Sequence, residues 1–184
     1  FDTVIRTRIG SPYVIAGMEA AGGDVVGYEA NGGFLLGFAA SGPMGVLPPL
    51  MTRDAVLPLV ASLAQARRAG GLAALVSAEP ARFTAADRLQ EVPTEISKAL
   101  VASFDTDAGK RADFLAQMNG AEAHVDRTDG LRMTLEDGRI VHLRPSGNAP
   151  ELRLYVEAGS GDAASQGLAL GLDVLRKAVD QMVL

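Results

Sequence analysis

Arg144, Ser146, Gly147 and Asn148 stand together in RPSGNAPELR, the segment from Arg144 to Arg153, and their types suit the holding of an anion. A guanidinium offers a planar fork of donors that matches phosphate or carboxylate oxygens, and Ser146 adds a hydroxyl. Gly147 lets the backbone turn so that consecutive amides point into one concavity, Asn148 brings a neutral donor, and Pro145 and Pro150 stiffen the loop. The same residues also spell an ordinary β-hairpin turn with solvated arginines. Residue types alone fit both accounts.

A second loop, GYEANGG from Gly27 to Gly33, sets the Glu29 carboxylate beside the Asn31 amide. Such a pair accepts from and donates to the hydroxyls of a sugar, and the glycines admit a ring closely. The plainer account is a tight loop whose Glu29 faces water. Arg6 and Arg8 flank Thr7 and, on a strand, share a face; they either bring positive potential to a cleft or form a solvated edge that discourages strand pairing. FDTD, from Phe104 to Asp107, has two carboxylates at a spacing magnesium loops use, yet it runs into Ala-Gly-Lys without a third acid and reads as a helix N-terminus. His142 alternates with Arg144 on a strand, to titrate near an anion or to meet a structural partner.

Other chemistries are excluded by composition. The 184 residues contain no cysteine, so thiol catalysis, disulfides and zinc-thiolate sites drop out, and two histidines are too few for a His-based metal cluster. No Ser-His-Asp set is recognisable. A formal net charge of -5 argues against a nucleic-acid partner, because a phosphate backbone needs a broad basic field. Between Glu29 and Arg53 no charged residue occurs, but glycines and prolines interrupt the stretch, so it reads as buried strand and loops and not as a membrane span. Phe1 in place of Met, with no signal-peptide order after it, predicts a piece of a longer chain.

The elements that must position these residues fall into two sets. In the first, a β-branched run turns at Gly10-Ser11-Pro12 and continues to Met18 as helix or strand; two strands then present the Glu29 loop. From Thr52 the pattern is helical, with Thr52 as cap, Asp54 at the positive end, Val56, Leu57, Val60, Leu63 and Ala64 at helical spacing, Pro58 in a kink or tight first turn, and Gly70-Gly71 as the stop. AEPARFTAAD reads as a connection, which places a boundary at 86/87.

The second set predicts a strand through Leu89 and Val92, a Thr94-led helix, a helix from Ala108 to Met118 ending at Asn119-Gly120, and strands separated by the turns Asp129-Gly130 and Asp137-Gly138. A last helix from Asp162 to Val183 carries Leu168, Leu172, Leu175, Val179 and Met182 on one stripe. The expected fold is an α/β partial domain with a mixed sheet over residues 1–86, then an α+β domain over 87–184 with a four-stranded, mainly antiparallel sheet covered by helices.

GYEANGG, followed about a hundred residues later by RPSGNAPELRLYVEA, resembles the C-terminal half of the α-D-phosphohexomutase superfamily, the phosphomannomutases and phosphoglucomutases. The resemblance covers nearly the whole chain: most of that family's third, sugar-binding domain and all of its fourth, phosphate-binding domain. It implies that Glu29 and Asn31 bind sugar hydroxyls, with Asn31 in place of a frequent serine and Gly33 in place of a frequent histidine. It further implies that Arg144, Ser146, Gly147 and Asn148 bind the phosphate remote from the reacting end, and that Arg8 lies near the reacting phosphate. The implied reaction moves a phosphoryl group between C1 and C6 of mannose or glucose through a bisphosphorylated intermediate, in the cytoplasm, to feed nucleotide-sugar and polysaccharide synthesis.

The phosphoserine loop and the Asp-rich loop for Mg2+ belong to the family's first two domains, and neither pattern occurs here. The chain is therefore expected to bind no metal, to be inactive alone, and to need the missing N-terminal half as its partner. A noncatalytic sugar-phosphate-binding module is the alternative.

Overall fold

The structure, a computed structural model, describes residues 2–183. Phe1 and Leu184, the outer limits of the two expected domains, lie outside the described residues. The chain divides into two compact units, Phe1–Pro80 and Ala81–Leu184.

In the first unit, residues 2–8 belong to no helix or strand, so Arg6 and Arg8 do not share a strand face; both are exposed. Helix α1 (Ser11–Ala21) resolves the helix-or-strand alternative, with Pro12 in its first turn, where a missing N–H costs nothing. Val14 and Met18, one helical turn apart, bury against Leu35 to form a small core flanked by Ile15, Val25 and Met51. Strands β1 (Val26–Tyr28), β2 (Phe34–Leu36) and β5 (Leu50–Asp54) form one sheet in the order β1-β2-β5, and β3 (Ala40–Gly42) pairs with β4 (Gly45–Leu47) as a separate hairpin. All these pairs are antiparallel, where mixed pairing was expected.

The uncharged stretch is thus strands and loops, and among the described residues no helix is long and apolar enough to cross a membrane. It is not buried throughout, however: residues 41–50 are all exposed. Helix α2 (Val56–Ala69) is capped by Asp54 and not by Thr52, which lies within β5; the Asp54 carboxylate accepts from the amides of Val56 at 2.8 Å and Leu57 at 3.2 Å. Pro58 sits in the first turn, and Gly70 ends the helix in the left-handed region. The helical spacing holds, but Val56, Val60 and Leu63 are more than half exposed. A short helix α3 (Leu72–Ser77) follows.

The second unit begins with β6 (Phe83–Gln90), which pairs along its whole length with the last strand, from Phe83↔Ala158 to Gln90↔Glu151. That pairing makes part of AEPARFTAAD a strand and puts the division at Pro80/Ala81, six residues before the expected place. Helices α4 (Thr94–Thr106) and α5 (Ala108–Gln117) come next, then β7 (Glu122–Asp126), β8 (Leu131–Leu135), β9 (Ile140–Pro145), β10 (Glu151–Ala158) and α6 (Gly161–Val183). The sheet has five strands, one more than expected, in the antiparallel order β6-β10-β9-β8-β7. Of FDTD, Phe104–Thr106 close α4 and Asp107 caps α5: the Asp107 carboxylate accepts from the amides of Gly109 at 2.9 Å and Lys110 at 3.1 Å.

Period-two alternation builds the core. Leu131, Met133 and Leu135 of β8 and Leu152, Leu154 and Val156 of β10 face the helices, where they meet Leu100, Phe104, Phe114 and Leu115. Burial of each such side chain contributes roughly 1.5–3 kcal/mol. From α6, Leu175 and Val179 join this core while Leu168 and Leu172 pack at its margin and Met182 is exposed. The opposite sheet face carries Arg132, His142, Arg144, Arg153, Tyr155 and Glu157, all partly buried.

Candidate functional site

In the second unit the RPSGNAP turn links β9 to β10, the pair that carries Arg144 opposite Arg153. The Ser146 amide donates to the Glu151 carbonyl at 3.0 Å and closes the turn's neck. Its hydroxyl is buried and donates to Asn148 Oδ1 at 3.2 Å, so Ser146 props the Asn148 amide. Among the described residues the amides of Gly147, Asn148 and Ala149 have no acceptor. Three consecutive free N–H groups at an exposed tip form a donor array suited to an anion.

Arg144 stands at the foot of this array. Its Nη1 lies 3.2 Å from the Asp129 carboxylate, its Nη2 3.5 Å from the Tyr155 hydroxyl, and its buried Nε has no partner. Asp129 is set by the β7–β8 hairpin, which turns at Gly130 with φ +77°; a Cβ there would come within 2.4 Å of the Leu143 carbonyl oxygen. His142 finds the structural partner: its Nε2 is 2.5 Å from the Asp129 carbonyl, and since a carbonyl only accepts, Nε2 carries the proton. Burial holds His142 below its ordinary pKa, and the nearby Arg144 and Arg132 charges act in the same direction.

Strand register also aligns Arg88, Arg153 and Arg144 directly across β6, β10 and β9. Like charges facing each other are costly unless neutralised. Glu151 does this for two of them, at 3.0 Å from Arg88 and 3.3 Å from Arg153. Burial disfavours the Arg153 charge, but hydrogen bonds to Tyr155 and Glu151 overcome that and raise its pKa. Asp129, Tyr155, Glu151 and Arg88 were not singled out in the sequence; the alternation of β10 with β6 was the available signal.

In the first unit, Glu29 and Asn31 lie on the β1–β2 connection. One Glu29 oxygen accepts from the Ser11 hydroxyl at 2.7 Å, which ties the loop to the start of α1. Asn31 Oδ1 accepts from the Gly33 amide at 2.9 Å, so this side chain offers its two N–H groups outward. Arg8 lies near the same helix start, with its guanidinium carbon 5.9 Å from the centre of the Tyr13 ring. Ser11, read in the sequence only as part of a turn, is thus the residue that brings Glu29 and the Arg8 segment to one end of α1.

No group of three or more His, Cys, Asp or Glu side chains capable of holding a metal occurs among the described residues.

The fold and its loops define a two-unit protein in which an α/β segment precedes an α+β domain with an arginine-headed donor turn. The family described as phosphoglucomutase/phosphomannomutase, C-terminal domain, matches residues 78–169, and the chain belongs to that family, the phosphohexomutases. It is 45% identical over 181 residues to a phosphomannomutase of Sinorhizobium fredii (strain NBRC 101917 / NGR234), a match covering 96% of this chain and 38% of that protein. It is 42% identical over 180 residues to a phosphomannomutase of Salmonella muenchen, covering 89% of this chain and 35% of the relative. The chain thus spans little more than a third of the length of these relatives.

Proposed function

We propose that this chain supplies the sugar- and phosphate-binding loops of a cytoplasmic phosphohexomutase that interconverts hexose 1-phosphate and hexose 6-phosphate through a bisphosphorylated intermediate. The observation that carries this is the row of free amides at Gly147, Asn148 and Ala149, headed by Arg144, within a domain of this family. The names of both relatives support mannose phosphate as the substrate.

In this account the distal phosphate sits on the Gly147–Ala149 amides, with the Asn148 side-chain amide and the Arg144 guanidinium completing its shell. Glu29 accepts from sugar hydroxyls through the oxygen that Ser11 leaves free, Asn31 donates to them, and Arg8 lies toward the reacting phosphate. Phosphoryl transfer depends chiefly on positioning and charge neutralisation, and a clamp on the nonreacting phosphate holds either end of a reorienting bisphosphate alike. The phosphoserine and Mg2+ belong to a further segment of a longer parent chain, which supplies the phosphoryl group and neutralises its charge.

A mutase assay tests this division. The chain alone should give no turnover with mannose 1-phosphate, and turnover should appear when the same chain is expressed within its full reading frame. Turnover of the isolated chain at the rate of the full reading frame would overturn it.

A further inference from the structure

Arg53 lies on β5 beside the end of the Glu29 loop, because the next residue, Asp54, pairs with Phe34 at the start of β2. Gly33 makes room for it. The position that a Cβ on residue 33 would occupy has Arg53 Cγ at 2.8 Å, Arg53 Cδ at 2.9 Å and Asn31 Oδ1 at 3.1 Å. Any side chain at position 33 must push the Arg53 stem off the loop. The stem and the Asn31 amide therefore share one side of Gly33.

Beyond that stem the guanidinium is uncommitted: among the described residues it makes neither a hydrogen bond nor an ion pair. Most arginines of the second unit contrast with this: Arg88, Arg111, Arg127, Arg139 and Arg144 each meet a carboxylate. Arg53 is exposed, so its guanidinium is accessible to a ligand. Its stem lies beside the loop that carries the outward N–H groups of Asn31 and the half-occupied Glu29 carboxylate.

We propose that Arg53 is a phosphate-binding residue of the first unit, taking the phosphate of the same phosphorylated sugar whose hydroxyls Glu29 and Asn31 bind. This rests on the sugar-binding role proposed for that loop. The charges give the loop a direction. Glu29 only accepts hydrogen bonds and repels a phosphate, while the Arg53 fork matches two nonbridging phosphate oxygens. The hydroxyls then lie toward Glu29 and a phosphate toward Arg53, and an unphosphorylated sugar gains no ion pair from Arg53.

The test is an NMR titration of the 15N-labelled 184-residue chain with mannose 1-phosphate, and separately with mannose. With mannose 1-phosphate, the amides of residues 29–33 and the Arg53 Nε–H should shift. Arg53→Met, which keeps most of the stem on Gly33, should weaken this binding at least fivefold, Arg53→Lys should recover part of it, and mannose should bind wild type and Arg53→Met alike. An Arg53→Met affinity within twofold of wild type, with Glu29→Gln still weakening binding, would overturn the role of Arg53 and leave the sugar loop standing. No response of residues 29–33 to either ligand would overturn the sugar-binding role and this inference with it. An unchanged spectrum of ligand-free Arg53→Met away from position 53 shows that the variant folds.

Discussion

Asp129 holds Arg144: its carboxylate lies 3.2 Å from Nη1, so the head of the donor turn is tethered by the β7–β8 hairpin. The tether orients the guanidinium and also competes with any anion for its charge. Asp129→Asn keeps a hydrogen-bond acceptor and removes the charge. The affinity for inorganic phosphate should then rise by about twofold to fivefold, the size expected for one partly exposed ion pair. Isothermal titration of both proteins checks this; weaker binding would mean that orientation outweighs competition.

Arg111 supports the second unit from inside. It pairs with both Glu122 oxygens, donates to the Phe104 carbonyl at 2.8 Å and the Asp105 carbonyl at 3.2 Å, and is almost wholly buried. Arg111→Met removes all these partners at once and should lower stability by about 2–4 kcal/mol, toward the lower end because Glu122 keeps some access to water. Urea unfolding followed by circular dichroism measures the loss.

Stability should fall with pH in two stages. Burial, first, holds His142 below its ordinary value of 6.5, so just below that pH the unfolded chain takes up a proton that the native state refuses. Stability is full above 6.5 and declines as pH drops through that window. The hydrogen bond from Arg111, first, holds Glu122 below 4.5, so its contribution is present above 4.5 and is lost as pH falls further. Unfolding curves between pH 8 and 3 should show both declines, and His142→Asn should remove the first alone.

The two units should differ in their protection from exchange. The first has Val14, Met18 and Leu35 as its buried cluster, whereas the second has a continuous core that spans four strands and three helices. Amides of α1, β1 and β2 should exchange with deuterium faster than those of β8, β9 and β10. Equal protection in a hydrogen-exchange experiment would contradict this.

How much of this was legible depended on whether a signal is local. Alternation in β8 and β10, the Asp-Gly turns and the Asp107 cap follow from neighbouring residues and were readable. Helix α2 shows the limit: Val56, Val60 and Leu63 recur at helical spacing, which specifies a helix, but spacing does not say whether anything covers that face. The Asp54 cap was displaced onto Thr52 because both residue types suit the position, and only the β2–β5 pairing shows which one ends the strand. The roles of Arg53 and Asp129 were unreadable for the same reason. Each acquires its neighbours through strand register, and one sequence does not state register.

The central claim, that Arg144 and the Gly147–Ala149 amides form a phosphate clamp, is tested most directly by thermal unfolding of the chain with mannose 6-phosphate. At a ligand concentration about ten times the dissociation constant, binding contributes about 1.4 kcal/mol and should raise the midpoint of the second unit by about 6 °C. Arg144→Ala, compared with its own ligand-free midpoint, should lose this shift, and Arg153→Ala, whose guanidinium is engaged by Glu151, should lose less. Equal shifts in wild type and Arg144→Ala would contradict the clamp and leave RPSGNAP as a hairpin turn.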